Sequence, residues 1–277
     1  LKHYAYLFEQ LNFNYRAKGL DLFGALNYEN YRECPRFENV VTQYLRAGLV
    51  EQHSMGQEMA KYPVYAGKLG LNYNDRVHSF GLLYDFKFNP SKTTGQSETS
   101  RYGTYISEEV LGNFFVANRH NRQHLLSAYY SATLEKWKLT ANIDALWQIN
   151  DRFTEENERS SVNPLRNFNT MNKVGNRLLA GNLMATCAVW FGDLRFGMET
   201  NGIHRTDRYA GNADYIASND NRIDETTTAL FVESDQKFGV VSAGVGLRWE
   251  YTDSKFYLFG RYSPEQSRTY HKIVANF

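Results

Sequence analysis

The chain has 277 residues, a formal net charge of +1 and 15% aromatic residues, with 20 Gly and only 5 Pro. The near-neutral balance excludes the basic footprint of a nucleic-acid-binding domain, and no apolar run approaches the ~20 residues of a membrane-spanning helix, which excludes a helical membrane protein. Aromatic-rich, proline-poor composition favours β-structure, and a membrane barrel stays open because its strands hide their hydrophobicity in alternation.

Residues 4–33 form the first predicted strand pair. Leu11, Phe13 and Tyr15 alternate with Asn12, Asn14 and Arg16, Lys18-Gly19 turns the chain, and Leu22, Gly24, Leu26 and Tyr28 return on one side. A period of 2 is the strand period, because successive side chains of an extended chain point to opposite faces. Residues 29–61 are polar apart from an apolar interlude at 40–50, which reads as a strand extension beyond the membrane. Tyr65, Gly67, Leu69, Leu71 and Tyr73 make the next face, Asn74-Asp75-Arg76 turns, and Phe80, Leu82, Tyr84, Phe86 and Phe88 follow.

A long polar link over residues 89–121 reads as a loop. His124, Leu126, Ala128 and Tyr130 then lead through Glu135-Lys136 into Trp137, Leu139, Ala141, Ile143, Ala145, Trp147 and Ile149. An apolar face bounded by Trp at both ends suits a lipid-facing strand, since amphipathic rings settle at the membrane–water boundaries. After polar residues 150–176 come Leu179, Gly181, Leu183, Ala185, Cys187 and Val189, a turn at Phe191-Gly192-Asp193, and Leu194, Phe196 and Met198. Polar residues 200–225 precede a strand at 226–234, a turn at 235–239, and a strand whose one face is Val241, Ala243, Val245, Leu247, Trp249 and Tyr251; residues 256–277 read as a loop and one more strand.

Short turns on one edge and polar links of twenty to thirty residues on the other fit an outer-membrane barrel better than a soluble sandwich, whose loops are mostly short at both ends. The expected fold is therefore all-β: an antiparallel up-and-down transmembrane β-barrel or barrel segment of ten strands and an eleventh, as one domain over residues 1–277. Lys68, Asp85, Lys87, Asn142, Asp144, Arg248 and Glu250 are the lumen-facing candidates, and Tyr65, Tyr73, Phe88, Trp137, Trp147, Trp249 and Tyr251 the lipid-interface aromatics. Tyr102, Tyr105, Phe153 and Tyr209 in the long links are candidates for substrate stacking. A soluble barrel would instead point its apolar faces at one another.

Residues 243–252, with Gly246-Leu247-Arg248-Trp249-Glu250-Tyr251-Thr252 at their end, resemble the GLRYEYT region of TonB-dependent receptor barrels. Residues 225–231 before it, Arg268-Thr269-Tyr270 after it, and residues 20–28 resemble strands of the same family. The resemblance implies a barrel of about 22 strands around a plug, located in the cell outer membrane. It implies import of a large nutrient, an iron chelate, cofactor or glycan, driven by a TonB-type energy-coupling partner through the plug. The chain is expected to cover the first half of such a barrel without its plug, and Phe277 to be an internal residue. The alternative is a self-contained small outer-membrane barrel with a structural or adhesion role.

No catalytic, metal or bound-cofactor role is expected. Histidines 3, 53, 78, 120, 124, 204 and 271 show no metal spacing, and Cys34 and Cys187 form no framework. Residues 219–224, with Asp214, are acidic but lack the glycine and terminal glutamate of a calcium loop. Ser79, His78 and Asp85 suggest a hydrolase only on paper, because neighbouring strand residues face opposite ways.

Overall fold

Alternation carries the chain into twelve antiparallel strands and no helix among the described residues, which in this computed structural model are 6–46, 48–104 and 106–276. They are β1 (Leu7–Ala17), β2 (Leu20–Glu33), β3 (Arg36–Leu45), β4 (Gly48–Asn74), β5 (His78–Gly103), β6 (Ile106–Leu134), β7 (Trp137–Ser160), β8 (Arg166–Val189), β9 (Gly192–Gly211), β10 (Asn219–Phe238), β11 (Val241–Leu258) and β12 (Arg261–Asn276). Each strand pairs with its sequence neighbours, except that β2 and β3 lie end to end along β4. Pro35, which cannot donate to a ladder, sits at the break between them. The twelve strands thus fill eleven lanes of one up-and-down sheet. The sheet is not closed: β1 and β12 are its two edges.

The turns on one end fall at Lys18-Gly19, 75–77, Glu135-Lys136, Trp190-Phe191 and Gly239-Val240, within about two residues of the positions the sequence indicates. Lys18 (φ 48°) and Gly19 (φ 84°) are both left-handed, the backbone of a type I′ turn whose twist matches the strands it joins. The other end departs from expectation. The polar links at 29–61, 89–121, 150–176 and 200–225 are paired strand for most of their length, closed by short turns such as 161–165 and 212–218. The link before the last strand is only the turn Phe259-Gly260. The interlude at 40–50 continues the sheet as β3 and turns back into β4.

The apolar band slopes across the paired rows of the sheet. The apolar band ends at Tyr28 on β2, but on β11 it ends at Tyr251, whose row contains Leu22. With ~3.3 Å per residue and ~4.8 Å between lanes, the strands incline by roughly 30° to the band's normal. On β7 the face from Trp137 to Trp147 then spans roughly 25–30 Å, the height of a hydrocarbon layer.

At six of the described glycines the aromatic ring directly opposite in the next strand folds over the glycine: Phe13/Gly24, Phe23/Gly70, Phe37/Gly56, Tyr129/Gly81, Phe115/Gly95 and Phe231/Gly197. In each pair the ring occupies the space where a glycine Cβ would stand. Cross-strand pairs of this kind fix register and cover backbone that a glycine leaves bare.

Candidate functional site

The two faces of the sheet differ in chemistry and in exposure. Tyr65, Tyr73, Phe88, Trp137, Trp147, Trp249 and Tyr251 all fall on one face, together with Leu26, Leu69, Leu82, Ile143, Leu183 and Leu247. This face is exposed: Leu26 is 62% exposed, Ile143 56% and Leu247 51%. No large side chain anywhere among the described residues is fully buried; the buried apolar residues are alanines and valines. A water-soluble protein cannot fold on that basis, since burying large apolar side chains is the dominant favourable contribution.

The opposite face is polar and the more enclosed of the two. Along β8, Phe168, Asn172, Asn176 and Leu178 are half-buried while Met171, Lys173, Arg177 and Leu179 on the other side are exposed. Lys68, Asp85, Lys87, Asn142, Asp144, Arg248 and Glu250 all lie on this inner face. Lys68 stands directly opposite Asp85. Asn142 Nδ2 donates to Asn182 Oδ1 at 2.9 Å, and Asn176 Nδ2 to Gln148 Oε1 at 3.2 Å.

Arg248 reaches Glu199 at 2.7 Å and Glu250 at 3.4 Å, and Arg195 reaches Glu233 at 3.8 Å and also pairs with Asp235. Glu199, Arg195, Glu233 and Asp235 thus belong to two separate charge clusters, one on Arg248 and one on Arg195, that sequence alternation indicates only in part. Charges on adjacent strands meet only once register is known.

The aromatic candidates of the links do not converge. Tyr102, Phe153 and Tyr209 sit within β5, β7 and β9 and not in loops, the first two on the outer face and Tyr209 on the inner one. Tyr105 lies outside the described residues, as do Phe277 and His3. The Tyr102 hydroxyl donates to Glu51 at 2.5 Å, which raises its pKa. At the head of β6, Glu109 accepts from Ser160 Oγ at 2.6 Å and Asn163 Nδ2 at 2.8 Å, and these bonds hold its carboxyl below the usual range. The Ser160 hydroxyl also accepts from the Val162 and Asn163 backbone, so Glu109 fastens the 161–165 turn.

The upper strands also frame a cavity of about 1070 Å³ on the outer face, lined among others by Arg36, Glu38, Met55, Phe114, Asn157 and Arg159. Both faces are wet at this height, so no periodic signal marks these residues in the sequence. No group of three or more metal-ligating side chains occurs among the described residues. Asp220 and Asp224 of the acidic stretch pair instead with Arg208, His204 and Arg222. His78 hydrogen-bonds the Tyr130 hydroxyl at 2.9 Å on the outer face, away from Ser79 and Asp85 on the inner one. Cys34 and Cys187 are free thiols.

An antiparallel up-and-down sheet, apolar and exposed outside and polar inside, is the wall of a β-barrel of the outer-membrane class. No protein-family model and no curated protein sequence matches the chain. Among solved structures, it is similar to the outer membrane protease OmpT from Escherichia coli (9% identity, TM-score 0.31, covering 98% of this chain and 92% of that one). It is also similar to the ferric yersiniabactin uptake receptor FyuA from Yersinia pestis (8% identity, TM-score 0.30, covering 97% and 58%). The ferric citrate transporter FecA gives 8% identity and a TM-score of 0.25, covering 98% and 59%. All three likenesses are distant, and the class rests on the chain's own faces and registers.

Proposed function

We propose that the chain is part of the wall of an outer-membrane receptor that imports a large nutrient by the TonB-dependent route. The observation that favours a larger ring over a self-contained small barrel is the direction of the edges. With eleven lanes, β1 and β12 both run towards the short-turn end, so pairing them would make a parallel ladder in an otherwise antiparallel sheet. Bacterial single-chain barrels have an even number of antiparallel strands, and open edges are not tolerated in lipid. Further strands joining β1 to β12 meet both conditions.

In this reading the inner face, with its Arg248–Glu199–Glu250 and Arg195–Glu233–Asp235 pairs, lines the passage and meets a plug supplied by another part of a longer protein. The tall hairpins of β4 to β8 form the outer rim where the nutrient is caught. The chain's role is binding and passage, with no chemical step. The test is uptake of labelled iron chelates, cobalamin and oligosaccharides by cells with and without the gene, energised or with the proton gradient collapsed. Loss of one energy-dependent uptake supports the receptor; unchanged uptake across all three classes, with surface adhesion lost instead, overturns it.

A further inference from the structure

We propose that Arg32, Lys61 and Lys92 together hold the phosphate of an anionic lipid headgroup at the outer boundary of the membrane. The three are direct cross-strand partners, Arg32 opposite Lys61 and Lys61 opposite Lys92, on three successive lanes. All three are exposed. Like charges placed directly opposite one another destabilise a sheet, so a row of three calls for an anion between them.

The protein itself provides none. Among the described residues no carboxylate lies within 4 Å of Arg32, Lys61 or Lys92. The same-face rows beside them on these lanes are Asn30, Pro63 and Pro90 on one side and Met59 and Thr94 on the other, without an acid. The contrast with the far side of the sheet is direct. Lys173, Arg208 and Arg222, also on the outer face, each lie within 4 Å of a carboxylate, Asp151, Asp220 and Asp224 respectively.

Position selects the kind of anion. Four residues nearer the apolar band on the same lanes and the same face, Tyr28, Tyr65 and Phe88 form an aromatic row with ring centroids 5.1 and 6.1 Å apart. Such rings sit at the membrane–water boundary. The cations therefore stand ~10 Å above it, in the headgroup layer, where long side chains extend towards phosphates. Arg122, whose guanidinium lies 5.4 Å from the Phe88 ring centre, adds a further positive charge at the level of the rings. The inference rests on the reading that the outer face meets lipid, which a substitution at Ile143, distant from this row, tests separately.

The experiment uses the complete barrel, with the strands that join β1 to β12, in nanodiscs, with retention of phosphatidylglycerol against phosphatidylcholine measured by native mass spectrometry, and inorganic phosphate as a separate arm. Wild type is expected to prefer the anionic lipid, and Arg32→Gln/Lys61→Gln/Lys92→Gln to lose about 100-fold of that preference. If the triple variant does not insert, Lys61→Gln alone, at the centre of the row, is expected to lose about fivefold. Lys173→Gln/Arg208→Gln, which removes acid-paired cations from the same face, should leave the preference unchanged. Equal preference in wild type and the Arg32/Lys61/Lys92 variants overturns the proposal. So does capture of inorganic phosphate with no preference between the two lipids.

Discussion

Ile143 and Asn142 are neighbours on β7 whose side chains leave the sheet on opposite faces, so the same substitution at each asks which face meets lipid. Ile143 lies between Trp137 and Trp147, near the middle of the apolar band, and is 56% exposed. An arginine there faces hydrocarbon at mid-depth, at a cost of about 2–4 kcal/mol. An arginine at 142 loses the hydrogen bond to Asn182, worth about 1 kcal/mol. Glu199 lies two lanes away in the same paired row and Glu250 four, both already paired with Arg248, so screened attraction to them offsets little of that loss. Ile143→Arg should therefore lower the folding equilibrium constant roughly 5- to 150-fold more than Asn142→Arg. The assay is reversible urea unfolding of the complete barrel in phospholipid vesicles followed by tryptophan fluorescence, with heat-modifiable gel mobility reporting the inserted form. Equal losses at the two positions, or a neutral Ile143→Arg, would refute the assignment of faces.

Gly70→Ala should cost about 1–3 kcal/mol by driving a methyl into the Phe23 ring, and Phe23→Leu in the same chain should recover much of it. Gly197→Ala should not be rescued by Phe231→Leu, because the new methyl would also meet the Leu183 carbonyl oxygen at 2.6 Å; unfolding midpoints of the four variants check both statements. Arg248→Met leaves Glu199 and Glu250 without their shared cation. The pair interaction is expected at about 1 kcal/mol in a double-mutant cycle with Glu199→Gln, shrinking in high salt because the groups are partly open to water.

Asp75 accepts from the backbone N–H of His78 at 2.6 Å and of Val77 at 2.8 Å, which lowers its pKa, as the Ser160 and Asn163 bonds lower that of Glu109. Stability from both is present above the ordinary carboxylate range and lost as pH falls through the depressed values. Asp75→Asn and Glu109→Gln should each flatten the acid limb of the stability curve. Protease protection of the 161–165 turn should follow Glu109 alone.

The spanning part of each strand was legible because one face meets an apolar medium and the other a polar one. Trp137 to Trp147 against Lys138 to Gln148 is a pattern that only a two-faced strand produces. The upper halves of the same strands were not legible. Residues 91–101 of β5 alternate Ser, Lys, Thr, Gly, Gln and Glu with no apolar face, since water bathes both sides, and they read as a loop although every one of them is paired. The ion pairs of Arg195 and Arg248 needed the register between β9, β10 and β11, which no single strand encodes. Arg32, Lys61 and Lys92 are far apart in sequence and meet only because β2, β4 and β5 align.

The tall hairpins have a consequence for how anything outside the membrane would be recognised. Side chains such as Tyr102, Phe153 and Tyr209 project from laddered backbone, so their relative placement was settled when the sheet formed. A ligand arriving there does not have to freeze a mobile segment, and the conformational entropy usually lost at capture was already given up during folding. Selectivity at the rim would then come from rigid spacing between lanes, and would change in steps of one strand.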